Sequence, residues 1–170
     1  MHFVLKCTID PAFINRNFER PVTDDLFDGL EKDIVAVFEK TGNDFAKHLE
    51  NNAADYDLET LVSDAFDLLA KYAVGCLFIE KNQFDFKFLA DNYRVYRKKF
   101  FETMKEYLAA FIESGKVRPL EQIELSTMLI IEILSWWAMD IRYTSFETQD
   151  ISPELAKKVC IDNILSAYKA

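Results

Sequence analysis

Residues 123–143 read IELSTMLIIEILSWWAMDIRY, the most apolar stretch of the chain, with Leu125, Met128, Ile130, Ile133, Trp136 and Trp137 distributed all round a helix axis. One core covers one face of a helix, so a water-soluble helix with no polar side has to be buried on two. Glu132 and Asp140 oppose a membrane span. The closing segment, Pro153 to Tyr168 behind a Ser152 cap, repeats the pattern more weakly, with Leu155, Val159 and Cys160 on one side and Ile161, Ile164, Leu165 and Tyr168 around it. The simplest cover is a second copy of the chain, two helices from each making a four-helix bundle across a twofold axis. The residues expected at that homodimer interface are Ile123, Ile130, Leu134 and Trp137, then Ile141, Leu155, Val159 and Ile164.

The rest of the chain reads as helix as well. Its 170 residues include 15 Phe, 7 Tyr and 2 Trp but only 4 Gly and 4 Pro, much bulk to pack and few residues for tight turns. A short helix is expected over Pro11–Phe18. A long one should start near Thr23, with Asp24, Asp25 and Asp28 in its first turns where the helix dipole favours carboxylates, and run to about Glu50 with Gly42 as a weak point or break. Asp57 starts a segment in which Leu58, Leu61, Val62, Ala65, Phe66 and Leu69 keep a 3.6 period to near Ile79. Residues 80–84 read as a connection, Phe86–Asn92 as a short helix and Tyr93–Ser114 as a long one stopped by Gly115. Pro119 opens the next segment, Leu120 to about Arg142.

Charge and cysteine usage narrow the function classes. The 29 acidic residues against 20 basic give a net charge of −9, which opposes a nucleic-acid surface spread over the whole body. Three cysteines, Cys7, Cys76 and Cys160, have neither disulfide-framework nor zinc-site spacing. No signal-peptide pattern and no long uncharged apolar run is present, so a cytoplasmic protein is expected. The sequence contains no Gly-rich phosphate loop, no Gly-x-Ser-x-Gly elbow and no His-Glu-x-x-His, and the chain is read as non-catalytic, with no cofactor and no metal.

The phrase LAAFIESGKVRPLEQIELSTMLIIEIL at Leu108–Leu134 resembles the TetR family of transcriptional regulators, in which a helix ends at a Gly, a short basic-and-Pro turn follows, and the penultimate, dimer-forming helix begins. A second stretch, TIDPAFINRNFERPVTDDLFDGL at Thr8–Leu30, looks like that family's recognition helix and the start of its connecting helix, with Phe13 or Ile14 where a Tyr is common and Phe18 at the usual Phe. Residues 19–25 are longer than the family's linker and lack its Lys, and Met1 lies almost inside the recognition segment, so a truncated or degenerate DNA-binding head is expected. The resemblance implies an all-α, TetR-like helical bundle. Residues 1–22 would be the remnant of the helix-turn-helix region and residues 23–170 the effector-binding and dimerisation domain. It further implies DNA-facing roles for Asn15 and Arg16, and a small apolar effector held by Met104, Tyr107, Met128 and Trp136. DNA would be a partner only where a complete head is present.

Other features have plainer readings. Tyr93-Arg94-Val95-Tyr96-Arg97-Lys98-Lys99 interleaves aromatic and basic residues, but helical spacing puts Arg94, Arg97 and Lys98 on one solvated side and Tyr93, Tyr96 and Phe100 on a packed one. Most aromatics are expected in the core, Cys76 as a small buried apolar residue, and His2 and His48 at the surface. The main alternative is a headless interaction module that dimerises with itself or a full-length relative and binds neither ligand nor DNA; it predicts a filled core. An unrelated helical enzyme or carrier predicts a pocket with convergent carboxylates.

Overall fold

The computed structural model describes residues 2–16, 28–50, 56–145 and 151–170. They form helices α1 (His2–Ile9), α2 (Leu30–Glu50), α3 (Leu58–Lys81), α4 (Lys87–Glu113), α5 (Ile123–Ser135), α6 (Ile141–Tyr143) and α7 (Pro153–Tyr168). A 3-10 turn covers Pro11–Asn15, and a π-helical turn over Trp136–Asp140 joins α5 to α6. No strand occurs among the described residues, and the fold is all-α.

Local chemistry places several boundaries. Asp57 accepts the Thr60 backbone N–H at 2.9 Å and starts α3, and Ser152 accepts that of Leu155 at 3.2 Å and starts α7 with Pro153 behind it. Gly115 ends α4 in the left-handed region, at φ +73°, where the Lys116 and Val117 N–H groups both return to the Phe111 carbonyl. The chain beyond this turn clasps the end of α7: Val117 bridges Lys169, the Arg118 N–H donates to the Tyr168 carbonyl, and the Arg118 Nε donates to the Ala167 carbonyl at 2.7 Å.

Helix α3 is the central element. Leu61, Val62, Ala65, Phe66 and Ala73 are buried in it, and α1, α4, α5, α7 and the π-helical turn pack around it. Helix α2 is the outlier, packing on α4 and on α1 while hardly touching α3. A column of aromatic rings holds it to α4: Phe38 stacks on Tyr96 at 5.1 Å, Phe45 meets Phe100 at 5.0 Å, and the Tyr107 hydroxyl donates to the Phe45 carbonyl at 2.7 Å.

Several expected boundaries move. Of the helix expected over Pro11–Phe18, residues 11–15 form the 3-10 turn and Asn17 and Phe18 lie outside the described residues; an α-helix over residues 2–9 precedes the turn, with Asp10 between the two. Thr23, Asp24 and Asp25 lie outside the described residues, and α2 begins at Leu30 after a turn at Asp28 and Gly29. Gly42 does not break α2: it is buried there, and a Cβ at this position would meet the Lys99 side chain at 3.7 Å. No break separates Phe86–Asn92 from Tyr93–Ser114. Leu89, Ala90, Tyr93, Phe100, Met104 and Leu108 form one uninterrupted buried stripe, so α4 runs continuously from Lys87 to Glu113. Pro119 precedes α5 rather than opening it, since α5 starts at Ile123.

Candidate functional site

Because α2 is held off α3, an open cleft of about 560 Å³ lies between them, a size suited to a small organic molecule. Its apolar lining is Val37 and Phe45 from α2, Leu68 and Tyr72 from α3, and Ile9 from α1. Charged side chains flank that lining: Lys40 and Asp44 on α2, and Asp64, Asp67 and Lys71 on α3. At one end His48 stacks on Tyr56, with ring centroids 4.2 Å apart, and the Tyr56 hydroxyl donates to Asp64 at 3.0 Å. Burial, then the Asp64 carboxylate, push the Tyr56 phenol well above its ordinary pKa, so Tyr56 stays a neutral donor.

At the other end α1 closes the cleft. Leu5, Thr8 and Ile9 of α1 line a narrow apolar crevice whose other walls are Ile34, Val37 and Phe38 of α2 and Tyr72, Gly75 and Cys76 of α3. Burial pushes the Cys76 thiol up to about 11, which makes it an apolar wall rather than a nucleophile at neutral pH.

Behind Cys76 lies a polar cluster between α3 and α4. The Tyr93 hydroxyl donates to Glu80 at 3.0 Å, and Arg97 is half-buried beside it, its Nη1 without a hydrogen-bond acceptor among the described residues. Burial disfavours that guanidinium's charge, but Tyr93 and Glu80 outweigh it and the pKa is raised. Arg97 thus leaves the solvated side expected for it, while Arg94 and Lys98 remain exposed.

The four residues expected to hold an effector do not converge. Met104 and Tyr107 are fully buried against α2 and α3, whereas Met128 (52 % exposed) and Trp136 (43 %) point outward from α5. None of the four lines the α2–α3 cleft.

The residues expected at a dimer interface divide similarly. Ile130, Leu134 and Ile164 belong to the chain's own core, Ile123, Trp137 and Ile141 are half-buried, and Leu155 and Val159 are exposed. The outward side of α5 nonetheless carries large apolar residues, with the exposed Glu124 and Glu132 among them. Leu125, Met128, Leu129 and Trp136 form an exposed stripe at helical spacing, opposite the buried Thr127, Ile130, Ile131 and Leu134. The π-helical turn adds one residue to its turn and leaves Trp136 exposed while Trp137 packs partly, and Ala138 and Met139 fully, against the core. The sequence showed the doubleness of α5 but not which residues took which side.

Asn15 and Arg16 are exposed. Arg16 pairs with Asp10 at 2.6 Å and lies over the Phe13 ring. Phe18 and the rest of residues 17–27 lie outside the described residues. No described helix is long and apolar enough to cross a membrane. Compared with known proteins, the chain matches no family model, no curated protein and no solved structure.

Proposed function

We propose that this chain is the effector-sensing and dimerising body of a TetR-type transcriptional regulator, non-catalytic, with the effector seated between α2 and α3. The observation that carries this reading is the two-sided apolar character of α5: Ile130 and Leu134 are in the core, while Leu125, Met128, Leu129 and Trp136 remain exposed on the opposite side. Exposed apolar stripes of this kind mark association surfaces. Leu155 and Val159 on α7, which neighbours the π-helical turn, extend the exposed apolar surface on the pair of helices assigned to a four-helix dimer.

The cleft favours a sensor over a ligand-free interaction module, which predicts a filled core. Its carboxylates Asp44, Asp67 and Asp64 are engaged by Lys47, Lys157 and Tyr56, which sets it apart from the open carboxylate pocket an enzyme or carrier predicts. It also supplies a route to the N-terminal segment. Leu5 and Ile9 of α1 line the apolar crevice that adjoins the cleft, and Ile9 lines both, so a molecule that widens the gap between α2 and α3 loosens the seat of α1. Ligand binding then acts as a population shift between α1 positions, with a size set by the ligand's differential affinity for them. The DNA-facing roles of Asn15 and Arg16 belong to the same proposal and require a complete helix-turn-helix.

Native mass spectrometry of the gently purified protein tests both halves. A dimer that carries a bound small molecule supports the sensor. A dimer that stays ligand-free through a screen of small amphiphiles favours the interaction module, and a monomer at micromolar concentration removes the main support for the family assignment.

A further inference from the structure

The cleft has three carboxylates, Asp44, Asp64 and Asp67, against two ammonium groups, Lys40 and Lys71, but two of the three are ion-paired with lysines that do not line it. Asp44 is bound by Lys47 at 2.5 Å, Asp67 by Lys157 at 2.6 Å, and Asp64 accepts the Tyr56 hydroxyl. Lys40 and Lys71 have no carboxylate within 4.0 Å among the described residues, and the Lys71 Nζ lies 5.1 Å from the Tyr72 ring centroid.

The two lysines also face the same part of the cleft. His48 and Tyr56 stack at one end, and Val37 and Tyr72 share the α1 crevice at the other, so α2 and α3 run antiparallel across the gap. Lys40 is one helical turn from Val37, and Lys71 is the residue before Tyr72. Both lysines therefore belong to the half of the cleft nearer α1, which Val37, Leu68 and Tyr72 also line.

We propose that the α2–α3 cleft selects an anionic amphiphile, its acid group held between Lys40 and Lys71 and its apolar body lying along Val37, Phe45, Leu68 and Tyr72. This rests on the sensor reading of the cleft and adds the chemical class of the effector. A neutral ligand would leave both ammonium groups unpaired at the lip. A cationic one would have to approach them while competing for carboxylates that already have donors.

The test is calorimetric titration of the full chain with decanoate, decanol and decyltrimethylammonium, which share a chain length and differ in charge. Decanoate should bind ~10-fold or more tightly than the other two, and K40M/K71M should lose about that factor for decanoate alone, because Met retains the apolar stem and removes the charge. Lys40 and Lys71 are exposed, so the variant should keep the native far-ultraviolet circular dichroism. Equal or tighter binding of decanol or the ammonium compound, or a decanoate affinity unmoved by K40M/K71M, overturns the anion assignment and leaves the sensor reading standing. Heat from none of the three overturns both.

Discussion

Thr8 of α1 occupies the space that the missing side chain of Gly75 leaves on α3: a Cβ built at Gly75 would lie 2.5 Å from the Thr8 Cγ2. The Thr8 Oγ1 donates to the Val4 carbonyl at 3.0 Å, so the side chain cannot rotate away without losing that bond. Helix α1 reaches the crevice beside the cleft because Gly75 lets it approach.

Gly75→Ala should therefore lower stability despite the better helix propensity of Ala. Overpacking costs about 1–3 kcal/mol against a propensity gain of about 0.5–1 kcal/mol, a net loss of about 1 kcal/mol at the middle of both ranges. Urea midpoints measure the loss, and limited proteolysis should show earlier cleavage within α1. The double variant T8A/G75A removes the 2.5 Å contact and should recover most of the stability; an equally unstable double variant would place the fault elsewhere.

Gly42 predicts the opposite sign. It is buried in an unbroken α2, and an added Cβ would make only ordinary contact with Lys99. Gly42→Ala should stabilise the protein by about 0.5–1 kcal/mol, seen as a higher urea midpoint at unchanged slope.

Asp57 gives the N-terminus of α3 a pH dependence. The Thr60 backbone N–H, with smaller help from Lys169 and Lys116, holds its carboxyl below the ordinary value. Its contribution is fully present above the unfolded pKa of about 3.9 and is lost as pH falls through the lower folded value. Asp57→Ala should cost about 1 kcal/mol at neutral pH. Asp57→Asn should cost much less there, since Asn caps as well, and should flatten the acid limb of stability against pH. An Asn variant with an unchanged acid limb would assign that limb to other carboxylates.

How much of this was legible in the sequence depends on whether the cause was local. Asp57, Gly115 and Ser152 act within one helical turn, and the starts of α3 and α7 and the end of α4 follow from them. Helix α1 was missed because Phe3, Val4, Leu5, Cys7 and Ile9 show no clear period; only Leu5 is buried, and its partners are on other helices. The cleft was illegible for a similar reason. Lys40, Thr41 and Asp44 read as the polar side of an ordinary amphipathic helix, and only the packing of α2 on α4 turns them toward a gap. Large apolar residues such as Met104 and Tyr107 read as better liners, but both are buried in the core, Tyr107 against the Phe45 ring.

Sedimentation velocity on the chain and on Leu129→Glu tests the central claim most directly. Leu129 is 54 % exposed on the apolar side of α5, so the substitution leaves the chain's own core intact while placing a charge in the proposed interface. The account predicts a species of twice the 19.8 kDa chain mass at micromolar concentration and a monomer, equally helical, for the variant. A monomeric parent chain, or a variant that dimerises as tightly as the parent, would contradict it.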